Sequence, residues 1–198
     1  MHDRVFDPAK AHKLEDPERT KWLPIDPILD RFGIRDGDVI ADIGVGTGYF
    51  AIPMARRTPN GRVIGVDLQP EMLELFRRKL GDAAAPSNVE TRLGRADATT
   101  LGDHSVDVVL LANLWHEIDD LDAATKEIER ILRPGGTLAI LDWRPDVQQP
   151  PGPPLDHRIP SRDARERIER HGFREAAETN LGEYSYLVTA KAPERESR

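Results

Sequence analysis

Residues 41–50 read Ala-Asp-Ile-Gly-Val-Gly-Thr-Gly-Tyr-Phe, with Gly44, Gly46 and Gly48 at alternate positions and a carboxylate, Asp42, two places ahead of them. Glycine loses more conformational entropy on ordering than any other residue, so such a run implies a close approach to its backbone. A dinucleotide fingerprint would need glycine at Tyr49, and a P-loop would need lysine followed by Ser or Thr. Neither is present. A carboxylate at the mouth of the loop repels a pyrophosphate but attracts a cation or accepts from an ammonium. Asp67 stands 19 residues after Gly48 at the end of an apolar run, a place where an acid accepts hydrogen bonds from a ribose diol. Further along, "NLWHEI" at 113–118 supplies His116, whose ordinary pKa lies nearest neutrality, and Glu117 beside it.

A ligand with a ribose, a charged amine and no phosphate fits S-adenosylmethionine. Methyl transfer from it is an in-line displacement that mainly requires alignment and exclusion of water. A general base is needed only where the acceptor atom carries a proton. His116 is the candidate base and Glu117 its partner or a substrate contact. Asp142, Trp143 and Arg144 leave a later apolar run, and Trp143 is expected to wall the pocket. His157 and Arg158, in "PPLDHRIP", are candidates to fold back over the pocket and bind a polar or anionic acceptor. His116, Glu117 and Asp142 offer too few oxygen ligands for a divalent ion, so no metal is expected.

The elements that must position these residues follow from periodicity. "VIADIG", "RVIGVD", "VETRLGRAD", "VDVVLLAN" and "TLAILDW" read as strands, separated by "FAIPMARRT", by "PEMLELFRRKL" and by a helix with Leu121, Ala124, Ile128, Ile131 and Leu132 on one stripe that "RPGG" stops. Alternation of this kind predicts a parallel sheet with right-handed crossovers and a ligand beyond the carboxyl ends of the strands. "REAAETNL" and "YSYLVTAK" read as a terminal antiparallel hairpin, after a helix starting at Ser161. "DPAKAHKL" and "DPERTKWL" each place Pro after a capping Asp, which predicts two short helices ahead of the sheet.

The blocks "ADIGVGTG", "VIGVDLQPEML", "GRADATTL", "DVVLLANLWHEI" and "ILRPGGTLAILDW", in this order over residues 38–142, resemble the class I S-adenosylmethionine-dependent methyltransferases. Within that class the chain is most similar to the small-molecule branch that includes the ubiquinone/menaquinone C-methyltransferases. One departure is Val45, where relatives often carry cysteine. The resemblance implies a Rossmann-like α/β fold, a mostly parallel seven-stranded sheet ending in an antiparallel hairpin, with helices on both faces. It implies one domain: a helical lid over 1–30, a cofactor-binding core over 31–144, a Pro-rich loop over 145–160, and a C-terminal helix and hairpin over 161–198. It also implies that Gly44, Gly46 and Gly48 lie against the methionine and ribose of the donor, that Asp42 orients its ammonium, and that Asp67 holds the ribose hydroxyls. Leu68 would cover one adenine face, Asp97 would accept from the adenine amino group with the Ala98 N–H at the ring, and Asn113 would lie near the methionine end.

The whole chain bounds the acceptor. Its 198 residues carry a net charge of −7, which disfavours nucleic acid and anionic membranes as partners. No apolar run reaches the roughly 20 residues of a membrane helix and no signal-peptide pattern opens the sequence, so a cytoplasmic monomer or homodimer acting on a small molecule is expected. With no cysteine, thiolate chemistry, including that of arsenite methyltransferases, is excluded. Two competing readings are a nicotinamide-dependent oxidoreductase, disfavoured by Tyr49 and Asp42, and a non-catalytic module that binds S-adenosylmethionine.

Overall fold

The apolar runs fold into one seven-stranded sheet in a computed structural model that describes residues 5–82, 84–147 and 152–194. The strands are β1 (Val39–Ile43), β2 (Arg62–Asp67), β3 (Val89–Leu93), β4 (Val106–Ala112), β5 (Leu132–Trp143), β6 (Arg174–Leu181) and β7 (Ser185–Lys191), in spatial order β3-β2-β1-β4-β5-β7-β6. The first five pair in parallel, while β7 runs antiparallel to both β5 and β6. The helices are α1 (Arg19–Trp22), α2 (Ile25–Leu29), α3 (Ala51–Arg57), α4 (Pro70–Leu80), α5 (Leu121–Ile131) and α6 (Ser161–Arg170). Strand order reverses between β1 and β4, which opens a crevice at their carboxyl ends.

Both faces of the sheet are buried, which is why β4 is an almost unbroken apolar run. Ile43, Leu111, Ile140 and Tyr186 pack with Trp115, Ile128 of α5 and Ile168 of α6 on one face. Ile40, Leu110, Leu141 and Leu187 pack with Leu29 of α2, Met54 of α3 and Phe76 of α4 on the other. Burying each such side chain contributes about 1.5–3 kcal/mol.

Three boundaries differ from the sequence reading. Arg133–Gly136, expected only to stop α5, belong to β5, because Leu132 already pairs with Val106 before the register shifts to Val108 with Thr137. "VETRLGRAD" is a strand only to Leu93; Arg95 and Ala98 close a turn with reciprocal backbone hydrogen bonds of 3.1 Å. The first N-terminal segment is a 3-10 turn, Pro8–Glu15, with Asp7 accepting from the Ala9 N–H at 3.0 Å, and α2 is an additional short helix. The lid and loop boundaries at 1–4, 148–151 and 195–198 lie outside the described residues.

Candidate active site

Gly44, Gly46 and Gly48 leave β1 with φ of +72°, +53° and +82°, a left-handed path that other residues resist. The protein itself demands two of them. A Cβ at Gly48 would lie 2.1 Å from the Phe76 ring, and one at Gly44 would lie 2.8 Å from the Leu114 methyls. Gly46 faces Leu14 of the N-terminal segment at an ordinary 3.5 Å, so its side of the loop is the one a ligand can approach.

Asp67 ends β2 and ties this loop to its neighbour. Its Oδ2 accepts from the Gly46 N–H and its Oδ1 from the Gln69 N–H, both at 2.9 Å. The Leu68 N–H also acts on this carboxylate, which keeps acceptor capacity for a diol. Leu68, next in the chain, is 45% exposed, an apolar surface beside a polar anchor. Asp42 is buried at the end of β1, and no hydrogen-bond donor among the described residues reaches its carboxylate. Burial and the nearby Asp67 charge push its pKa to about 8, against the opposing pull of Arg19. Asn113 leaves β4 with φ +55° and a buried, unpartnered Oδ1. These groups fit a flat nucleoside joined to a cationic amino acid: an acid for the diol, an acid for the ammonium, an orphaned acceptor and a bare apolar face.

The adenine end is less open than the resemblance implies. Asp97 receives Arg95 through both oxygens, at 2.8 and 3.0 Å, and the Ala98 N–H is spent on the Arg95 carbonyl. Arg95 is 63% exposed along its side chain and free to swing off; the Ala98 N–H is released only if the turn opens.

The acceptor end is built where β4 and β5 run side by side. His116 lies in a 3-10 turn after β4, almost fully buried, with Nδ1 2.7 Å from Asp142 Oδ1 on β5. Asp142 also accepts from the backbone N–H groups of His116, at 2.9 Å, and Trp143, at 2.8 Å. A carboxyl group receiving two N–H donors is accepting throughout, so Nδ1 carries the proton and Nε2 is the basic nitrogen. Burial lowers the His116 pKa, but Asp142 and Glu117 outweigh it and the net shift is upward. Glu117 Oε1 lies 3.8 Å from Nε2, and burial raises that carboxyl to about 7.

The N-terminal segment crosses this crevice. The Phe6 N–H donates to Glu117 Oε2 at 3.2 Å, and the Phe6 carbonyl accepts from Gln69 Nε2 at 2.8 Å. Lys79 of α4 pairs with Glu15 at 2.6 Å and donates to the Thr47 carbonyl. Trp22 of α1 packs on Trp143 with ring centroids 5.2 Å apart, so Trp143 is held by α1 from one side.

Arg158 has a different job from the one expected of it. Its guanidinium donates to the carbonyls of Pro153, Arg144 and Val147, and it is 7% exposed. Prolines supply no N–H, and here a side chain serves as the donor to these carbonyls. No hydrogen bond or ion pair joins His157 to His116, Glu117 or Asp142. The residues that sequence reasoning missed are Arg19 and Gln69; it set Asp142 beside His116 and Glu117 only as metal ligands, and the Asp142–His116 hydrogen bond gives that carboxylate a different role. Among the described residues, no group of three or more His, Asp or Glu is arranged to hold a metal ion, and no helix is long and apolar enough to cross a membrane.

The profile of the methyltransferase domain family matches residues 41–140, half of the chain. The chain belongs to that family. Its sequence and fold are those of the class I S-adenosylmethionine-dependent methyltransferases. This methyltransferase is 34% identical over 116 residues to a ubiquinone/menaquinone biosynthesis C-methyltransferase of Hahella chejuensis, covering 58% of this chain and 47% of that one. It is 39% identical over 116 residues to an uncharacterized methyltransferase-like protein of Schizosaccharomyces pombe, covering 59% and 42%. The methyltransferase therefore spans about half the length of these curated relatives. A solved S-adenosylmethionine-dependent methyltransferase from Aquifex aeolicus superposes with a TM-score of 0.89 at 28% identity, covering 95% of this chain and 100% of that one.

A pH dependence follows from the buried acids. Asp42 at about 8, Glu117 at about 7, and the raised Asp67 and His116 all bind protons more tightly folded than unfolded. Their contribution is complete at low pH and is lost as pH rises through these values. The depressed acids, such as Asp122 at about 2, act below pH 4 and do not compete in that window. The ligand-free methyltransferase should therefore melt at a higher temperature at pH 5.5 than at pH 8 in scanning calorimetry. A flat or rising profile would contradict the assigned burial of these groups.

Proposed function

We propose that the protein transfers a methyl group from S-adenosylmethionine to a small-molecule acceptor, with His116 as general base. The observation that supports the reading is the set of groups at the carboxyl ends of β1, β2 and β4: the Asp42 carboxyl without a donor, the Asp67 carboxyl on the glycine loop, the buried unpartnered Asn113 Oδ1 and the exposed Leu68. Asp67 would hold the ribose hydroxyls and Asp42 the donor's ammonium, with Gly44, Gly46 and Gly48 forming the floor. Leu68, Asp97 and Ala98 would meet the adenine once Arg95 releases Asp97. When bound, the donor supplies an electrophilic methyl on a positively charged sulfur.

The chain's own residues do the rest. Asp142 keeps the proton on His116 Nδ1, so Nε2 can take one from the acceptor. Glu117, half-protonated near neutrality, is placed to orient the acceptor or relay that proton. The N-terminal segment shuts the crevice and excludes water. Arg158 is committed to its loop, so the acceptor is read as neutral or cationic, with Trp143 walling its site and His157 at the margin. No nucleic acid or membrane is needed for this chemistry.

Thermal shift with S-adenosylhomocysteine and with NAD tests the reading. At a concentration of 100 times its dissociation constant the true ligand adds about 2.7 kcal/mol, several degrees in melting temperature. A shift with NAD and none with S-adenosylhomocysteine would end it.

A further inference from the structure

Arg19 is a buried cation without an ion-pair partner among the described residues. It is 7% exposed, yet among the described residues no carboxylate lies within ion-pair distance of its guanidinium. One of its five N–H donors is used, from Nη1 to the Leu14 carbonyl at 3.0 Å. One face lies 4.2 Å from the centroid of the Tyr49 ring, and Tyr49 is itself anchored by its hydroxyl on the Leu23 carbonyl at 2.7 Å. The acids that act on Arg19 through space are Glu15 and Asp42. Glu15 is taken by Lys79, whereas Asp42 has no donor.

Arg19 and the Asp42 carboxyl are thus both buried and act on each other through space, and no hydrogen bond or ion pair joins them. Tyr49, against which Arg19 is held, follows Gly48 in the glycine loop, and Leu14, whose carbonyl Arg19 holds, faces Gly46, so Arg19 is anchored beside the loop that Asp42 precedes. A zwitterion satisfies both. We propose that Arg19 and Asp42 clamp the α-amino acid end of the donor, Arg19 taking the carboxylate and Asp42 the ammonium. The guanidinium plane, fixed by Tyr49 and Leu14, is preorganised for a fork-to-carboxylate contact. The inference rests on the S-adenosylmethionine reading above and extends it: α1 becomes part of the binding site and not only a cover.

Calorimetry on the full chain with two ligands separates the cases. S-adenosylhomocysteine carries the amino acid, and 5′-methylthioadenosine lacks it. Arg19→Met should weaken S-adenosylhomocysteine by about 10- to 100-fold and leave 5′-methylthioadenosine within twofold; Arg19→Lys should fall between. On the unaltered protein, decarboxylated S-adenosylmethionine should bind about 10-fold or more weakly than S-adenosylmethionine, a comparison that stands even if Arg19→Met misfolds. Unchanged S-adenosylhomocysteine affinity in Arg19→Met would overturn the clamp, as would equal losses for both ligands, which would make Arg19 a packing residue. If the unaltered protein binds 5′-methylthioadenosine but gains nothing from the amino acid, the clamp alone fails. If it binds none of the nucleosides, the donor reading fails with it.

Discussion

Gly48→Ala should melt about 10 °C below the parent protein, while Gly33→Ala should lose only a few degrees. Both glycines have positive φ, +82° and +62°, so each substitution carries the left-handed penalty of roughly 1–2 kcal/mol. They differ in space. A Cβ at Gly48 meets the Phe76 ring at 2.1 Å, and one at Gly33 meets nothing within 4 Å. Phe76 is fully buried in α4 and cannot step aside without opening the core, which adds roughly 1–3 kcal/mol of overpacking. About 3–4 kcal/mol is a large part of the roughly 5–15 kcal/mol that keeps a domain folded. At about 2–4 °C per kcal/mol for a chain of this size, the two variants are readily distinguished by calorimetry. Equal shifts would mean that Phe76 does not seat against this loop.

His116→Ala should lower kcat by about 10²- to 10⁴-fold with any acceptor whose reacting atom bears a proton, while S-adenosylhomocysteine affinity stays within twofold. In the proposed site His116 is not one of the donor contacts, and no hydrogen bond joins it to Asp42, Asp67 or Asn113, so the two properties should separate. Asp142→Asn is the companion variant. Removing the carboxylate removes what raises the His116 pKa, so the acidic limb of the kcat profile should move to lower pH, with a weaker base and a ring free to turn over. Circular dichroism on both variants guards against misfolding, because Asp142 also receives two backbone N–H groups. Turnover within threefold of the parent in His116→Ala would remove the histidine from the chemistry.

Much of this was legible in the residues. Strand and helix order followed from periodicity, and the spacing from Gly48 to Asp67 located the crevice because short strands and crossovers leave little freedom. The glycines were read as space for a ligand, whereas Gly44 and Gly48 answer to Leu114 and Phe76, which lie 70 and 28 residues away in the chain. Arg158 looked like a hand for an anion, but a loop poor in N–H donors absorbs it. Arg19 looked like one charge among many in "DPERTKWL"; only the packing of Tyr49 and the course of the N-terminal segment make it a buried cation. What stayed hidden is what long-range packing decides.

Phe6 is held by its N–H on Glu117 and by its carbonyl on Gln69, so the backbone of a single residue bridges the ends of β4 and β2. A spent nucleoside beneath it cannot leave until both bonds break and the Glu15–Lys79 pair parts. Lifting of that segment is then expected to limit the proposed turnover, and burst kinetics, with a fast first turnover followed by a slower steady rate, would be its signature.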